Sequence, residues 1–352
     1  MRTALTELLG CRHPIVQTGM GYVAGAGLVS AVGEAGGFGI VAAATMTVEQ
    51  LRDTIRAIRS RTDAPFGVNV RADAPDAGER VDLLIRERVR LASFALAPDR
   101  DLIRKCHDHG VLTMPSVGAR RHAEKVAGWG ADAVLVQGGE GGGHTGPVPT
   151  TLLLPQVVDA VDIPVVAAGG FFDGRGLVAA LAYGAAGIAM GTRFLLTTDS
   201  PVGMRVKQLY LDAAVTGTTV TTHVDGVPHR VLLTPYIRGL EKSGSVGALL
   251  RATRHAVAFR RLAGLSWPEL IRTGRRARRG RAMSWAQTMR AASTPILLRT
   301  AMVEGRPEYG VMSAGQVTGL IDDLPSCAEL IGRIMKEADE RLGALGRLRD
   351  AR

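Results

Sequence analysis

Aromatic residues are scarce, 4% of the 352 positions. So thin a supply argues against a platform that stacks unpaired bases. Cysteine is scarcer still. Cys11, Cys106 and Cys327 are odd in number and far apart, which fits neither a disulfide framework nor a zinc site and is the usage of a reducing cytoplasm. No set of His, Asp and Glu is spaced along the chain for a metal ion, so no metal is expected. There is no apolar run of about 18 residues, hence no expected membrane span. Residues 1–10 lack the charged-then-apolar order of a signal peptide. Acids nearly vanish between 251 and 281, where ten arginines stand against Glu269 alone. That stretch carries almost the whole formal net charge of +10 and is built to meet anions.

What is abundant is glycine, 44 residues, distributed with a grammar. A short apolar run is followed by glycine or polar residues, then by an amphipathic stretch of helical period. The apolar runs are 15–19, 38–42, 66–70, 91–96, 112–117, 133–138, 164–170 and 187–194. Helical stretches between them include 48–61, 76–88, 100–109, 120–129, 152–161 and 174–183, and 327–348 reads as a closing helix. Eight strand–helix units predict an α/β fold, a (β/α)8 TIM barrel. After residue 194 the grammar stops. Residues 205–304 read as helices and irregular segments without strands, a smaller, mostly helical substrate-binding insertion. The barrel would then comprise 1–204 and 305–352.

In such a barrel the chemistry sits where the strands end. Thr18-Gly19-Met20-Gly21 follows the first run, and Asn69 ends the third. The sixth leads into Gln137, five glycines that include Gly143 and Gly146, and His144. Ala168-Gly169-Gly170 closes the seventh, and Gly191-Thr192 interrupts the eighth. Glycines after the last two strands let backbone N–H groups approach a phosphate. A loop with so few side chains gives a histidine little to be buried against, so His144 is expected to face a ligand and move a proton. Nucleophile elbow, Walker loop and dinucleotide fingerprint are all missing. A phosphate site, one histidine and no hydrolytic triad fit a barrel that takes its hard chemistry from a cofactor.

The segments Pro14–Gly21, Ala35–Gly39, Pro65–Asn69, Gly138–Gly146, Ala167–Gly170, Met190–Phe194 and Met312–Gln316 together resemble the nitronate monooxygenase (2-nitropropane dioxygenase) family, which also includes flavin-dependent enoyl-thioester reductases. The resemblance implies an FMN-binding barrel, with NAD(P)H as reductant or an external electron acceptor. FMN would contact Gly19, Met20, Gly21, Asn69, Gln137, Gly143, Gly146, Ala168 and Gln316. Its phosphate would take Gly169, Gly170, Gly191 and Thr192, and His144 matches the catalytic histidine. Further segments, 95–98, 137–147, 169–176, 224–230 and 322–327, resemble an actinobacterial branch of the family. That branch acts in cholesterol breakdown on a CoA thioester of the two-ring hexahydroindane fragment. Gln137-Gly-Gly-Glu-Gly-Gly stands where many monooxygenases have an Ala-Gly-Gly or Ser-Gly-Gly lead-in, which points away from nitronates. The implied activity is an FMN-dependent oxidoreductase that introduces or reduces a C=C bond beside a carbonyl. Alternatives are nitronate oxidation with dioxygen and enoyl-thioester reduction in fatty-acid synthesis. Arg275, Arg276, Arg278 and Arg279 would meet the CoA phosphates. The basic stretch lacks a nucleic-acid reading motif and interleaved aromatics. By analogy the barrel forms a homo-oligomer.

Overall fold

The computed structural model describes residues 1–95, 99–241 and 285–350. Eight parallel strands close into a barrel: β1 (Ile15–Gln17), β2 (Phe38–Ala42), β3 (Phe66–Arg71), β4 (Leu91–Ala95), β5 (Leu112–Val117), β6 (Val134–Gln137), β8 (Val165–Ala168) and β9 (Gly187–Met190). β9 pairs with β1, Val16 opposite Ala189, and completes the ring. The expected (β/α)8 barrel is the fold. Strands β2, β8 and β9 are buried at every position, so they read as unbroken apolar runs. Runs 164–170 and 187–194 overshoot their strands. The chain leaves the ladder after Ala168 because Gly169 and Gly170 both adopt φ +91°. It leaves again after Met190, where Gly191 caps a four-residue helix, α9 (Thr192–Leu195).

Helices on the outer ring are α2 (Ala26–Glu34), α3 (Val48–Arg59), α4 (Ala77–Arg86), α5 (Arg100–His107), α6 (Arg120–Ala127), α7 (Thr150–Val158), α8 (Gly174–Ala182) and α13 (Cys327–Asp350). Helix α3 shows why these segments fold locally. Thr47 and Gln50 form a capping box, and Leu51, Ile55 and Ile58 fall on one buried face. Helix α2 escaped the sequence reading because its run AGLVSAVGE has hardly any polar face. Helix α1 (Ala4–Leu9) places Leu5 and Leu9 in the cluster that fills the barrel, with Phe38, Leu91, Met114 and Val166. Helix α13 is the last barrel helix, as expected. It crosses α8 so closely at Gly174 that a Cβ there would lie 2.4 Å from that of Glu337.

Between α9 and α13 lie α10 (Met204–Leu211), β10 (Thr218–Thr221), β11 (His229–Leu232), α11 (Pro235–Glu241) and α12 (Trp285–Met302). The expectation of a strand-free insertion is corrected here. Strands β10 and β11 form an antiparallel hairpin, and β11 pairs in turn with the two-residue β7 (Gly143–His144) on the glycine loop. Short strands with mixed exposure carry little period-2 signal, which is why they went unseen. Val206, Tyr210, Leu232, Ala301 and Met302 share one core with barrel residues such as Ile188 and Phe194. Arg275, Arg276, Arg278 and Arg279 lie outside the described residues. No described helix is long and apolar enough to cross a membrane.

Candidate active site

The expected site residues converge at the C-terminal end of the barrel. Several glycines report this directly, since a Cβ added to them would crowd another member of the set. At Gly19 it would lie 2.6 Å from the Asn69 Cβ, and at Gly191 3.2 Å from Thr18 Oγ1 and 3.5 Å from Met20 Sδ. At Gly141 it would meet the Gln137 side chain at 2.7 Å. At Gly169 it would lie 3.0 Å from the Gly138 carbonyl oxygen. A Cβ on Gly139 would lie 3.1 Å from the Gly146 carbonyl oxygen, and one on Gly21 3.1 Å from Thr45 Cγ2. The backbone thus forms a side-chain-free rim. Such a surface lets a planar, phosphate-bearing molecule come close to main-chain N–H groups.

Three devices hold the rim in shape. Glu140 folds its carboxylate back onto the start of α7, accepting from Thr150 N at 2.9 Å, and the Thr150 hydroxyl is 2.8 Å from both that carboxylate and the Gly169 carbonyl. A carboxylate at a helix N-terminus is favourably placed. Gln137 donates to the carbonyls of Gly142 and His144, at 3.2 and 2.8 Å. Arg230 on β11 donates to the Gly139 carbonyl at 3.0 Å. The C-terminal segment closes the ring. Gly315 N donates to Thr192 Oγ1 at 2.9 Å, and Gln316 N to the Glu140 carbonyl at 3.0 Å. Beneath it, buried Arg193 is pinned by Asp323 at 2.8 Å and by the Leu196 carbonyl. Gln316, about 180 positions from Gly138, is therefore part of the same rim.

His144 stands at the edge of this rim, its side chain 41% exposed. Sequence reasoning missed what holds it. His144 Nε2 is 2.6 Å from Asp225 Oδ2, and His229 Nδ1 approaches the same oxygen at 3.4 Å. His229 Nε2 meets Ser313 Oγ at 2.9 Å. Burial pushes the Asp225 carboxyl up, but the hydrogen bonds and charges of His144 and His229 together outweigh it and hold the group well below the usual carboxylate range. Asp225 is therefore ionised at neutral pH and accepts from both rings. The expectation that no His/Asp/Glu set has metal-like spacing fails in space. These three residues offer ligand atoms within 4.8 Å of one another. Their shared carboxylate oxygen is already engaged by both imidazoles, which makes the cluster a hydrogen-bonded one. Asp225 and His229 lie in the quoted segment 224–230, and that Asp-x-x-x-His was the available signal.

The nitronate monooxygenase family model matches residues 2–83 and 77–337. The chain belongs to the nitronate monooxygenase family. Two curated relatives match it nearly end to end. Both are named (3aS,4S,5R,7aS)-5-hydroxy-7a-methyl-1-oxo-octahydro-1H-indene-4-carboxyl-CoA dehydrogenase. The one from Rhodococcus jostii is 58% identical over 99% of each chain, and the one from Mycobacterium tuberculosis 58% identical over 96% of each. Among solved structures, FabK of Thermotoga maritima superposes with a TM-score of 0.83 at 35% identity and 99% coverage of both chains. Nitroalkane oxidase of Streptomyces ansochromogenes gives 0.76 at 28%, over 97% of this chain and 100% of the other. Nitronate monooxygenase family members are flavin-dependent oxidoreductases, and this chain is an oxidoreductase of that kind. Its glycine rim fits such a cofactor: Gly169, Gly191 and Gly315 let the loops pack backbone to backbone, where a Cβ would press on neighbouring loop atoms, and the positive-φ Gly170 is nearly open.

Proposed function

We propose that this protein is an FMN-dependent dehydrogenase of an alicyclic CoA thioester, of the hydroxy-oxo-hexahydroindane carboxyl-CoA type for which its relatives are named. The carrying observation is 58% identity sustained over 99% of both chains. His144 presented at the rim agrees with it. FMN would be held by Gly19, Met20, Asn69, Gln137 and Gln316, with its phosphate at Gly169, Gly170, Gly191 and Thr192. When bound, the flavin supplies a two-electron acceptor for hydride.

The chain's own residues supply the rest. A thioester carbonyl acidifies the carbon beside it. His144 takes that proton as general base. Backbone N–H groups of the glycine loop steady the enolate oxygen. Departure of hydride from the neighbouring ring carbon then leaves a C=C bond, so one proton and one hydride account for the two hydrogens lost. An enzyme positions its base beside the substrate carbon before the reaction begins, and the rim-fixed loop does this.

The deciding experiment is the visible spectrum of the purified protein under anaerobic conditions during addition of the hydroxy-hexahydroindane carboxyl-CoA. The expected result is a yellow protein that bleaches stoichiometrically. A yellow protein that ignores the ester but consumes oxygen with an alkyl nitronate is the outcome that returns it to monooxygenase chemistry. One that is oxidised by an enoyl thioester after NAD(P)H reduction would be a reductase instead.

The arginine stretch gives a second test. Charge reversal of Arg275 and Arg276 to Glu should raise KM for the CoA ester about tenfold or more while changing kcat little, because phosphate contacts act on ground and transition states alike. Unchanged KM in steady-state kinetics would remove these residues from CoA binding.

A further inference from the structure

The hairpin that interrupts the insertion does more than cover the barrel. Its strand β11 sets His229 directly opposite His144 in the register with β7. The two ring centroids are 4.8 Å apart. Asp225, four residues before His229, lies between them with a side chain only 7% exposed. Ser313, on the far side of His229, is fixed in its turn. It bridges to Val231 and its carbonyl accepts from the Tyr210 hydroxyl at 2.9 Å. Neighbouring Met312 accepts from Leu232 N at 2.8 Å. Three chain segments, 143–144, 225–232 and 312–314, thus meet around one carboxylate oxygen.

We infer that Asp225, braced by His229 and Ser313, is the positioning residue of His144, fixing its proton on Nε2 so that the Nδ1 lone pair faces the substrate. This rests on the reading of His144 as the general base. A carboxylate oxygen has only lone pairs to offer. A His144 ring protonated at Nδ1 alone would set its Nε2 lone pair 2.6 Å from Asp225 Oδ2, lone pair against lone pair. Protonation at Nε2 turns the same contact into a charge-assisted hydrogen bond. His229 obeys the same constraint with the opposite nitrogen. Its Nδ1–H points to Asp225, so its Nε2 accepts from the Ser313 hydroxyl. Each group then has a partner except His144 Nδ1, which has none among the described residues. The side chain that carries this nitrogen is 41% exposed. The two histidines are therefore assigned opposite tautomers: Nε2–H for His144 and Nδ1–H for His229.

The pairing gives the hairpin a role in the chemistry. A base must present its lone pair at the atom it deprotonates, and an imidazole in the wrong tautomer presents an N–H there instead. Without Asp225, the ring of His144 could turn or exchange tautomers at no electrostatic cost.

The test uses the intact flavin-loaded protein labelled with 15N in the histidine imidazoles. Long-range 1H–15N spectra near pH 8 distinguish the neutral tautomers, and the signals are assigned by their loss in His144→Gln and His229→Gln. The expected result is Nε2–H at His144 and Nδ1–H at His229. Observation of Nδ1–H at His144 in the wild type overturns the inference, and this reading needs no substrate. The second arm is Asp225→Asn. It should lower kcat on the CoA ester about 10²-fold or more, with KM changed less than about threefold and the flavin spectrum unchanged. A deuterium isotope effect at the carbon beside the thioester should grow, because proton removal becomes slower relative to other steps. Full kcat in that variant, with flavin bound, also overturns it. Failure of the ester to bleach the flavin in wild type, with the two tautomers as assigned, would strike the proposed substrate and leave the positioning intact.

Discussion

Replacing His144 by alanine leaves the flavin bound and lowers turnover of the CoA thioester by at least about 10²-fold. The figure is the ordinary contribution of a positioned general base. Flavin retention follows from the structure, because the rim is held by contacts in which the imidazole takes no part. Gln137 reaches the His144 carbonyl, not its ring, and Arg230 reaches the Gly139 carbonyl. Strand β7 pairs with β11 through its backbone, which alanine preserves. The imidazole does balance Asp225, so a modest fall in thermal stability is also expected. Single-turnover mixing separates the effects, with slow bleaching at saturating ester and an unaltered resting spectrum. Bleaching at the wild-type rate would take His144 out of the reaction.

Gly169→Ala is expected to weaken flavin affinity by about 10- to 100-fold. A non-glycine residue held at positive φ costs about 1–3 kcal/mol, and each 1.4 kcal/mol is about a factor of ten in binding. Gly169 sits at φ +91°, and a Cβ there would lie 3.0 Å from the Gly138 carbonyl oxygen and 3.1 Å from Gly141 N. Both are main-chain atoms of the opposing loop, so relief requires the loop itself to move. The Thr150–Gly169 hydrogen bond opposes that movement. Gly110→Ala is the control. Its φ is +72°, its Cβ would meet nothing within 4 Å, and it lies between α5 and β5, at the opposite end of the strands. It should lower Tm without changing flavin affinity. Flavin titration by fluorescence quenching on both variants checks this. Equal losses of affinity would show that Gly169 acts through stability and not through the cradle.

The barrel was legible because parallel strands covered on both faces leave continuous apolar runs, and helices between them leave a 3.6-residue period. Every strand starts within an expected run, and only β3 passes its end, by one residue at Arg71. The errors sit where that physics weakens. Helix α2 lacks a polar face. The hairpin strands are short, β10 half-exposed and β11 mostly buried, so neither alternates. The run through residue 194 passed over Gly191, where the chain turns into α9. The glycine-rich ends of β1, β6, β8 and β9 were legible for a related reason. Glycine is conspicuous wherever backbone must approach backbone, and its function there depends only on what it lacks.

The sequence by itself determined the barrel, the glycine rim and His144, because each of these is a local pattern: an apolar run, a turn, a loop without side chains. Only the tertiary structure decided how His144 is held. Asp225 is 81 positions from it and Ser313 is 84 from His229, distances at which no periodicity links one residue to another. Their meeting depends on β11 pairing with β7 and on residues 312–314 lying beside β11. Hydrogen-bond registry between distant strands is fixed by the folded backbone, and so the carboxylate that orients the base came into view only with the fold.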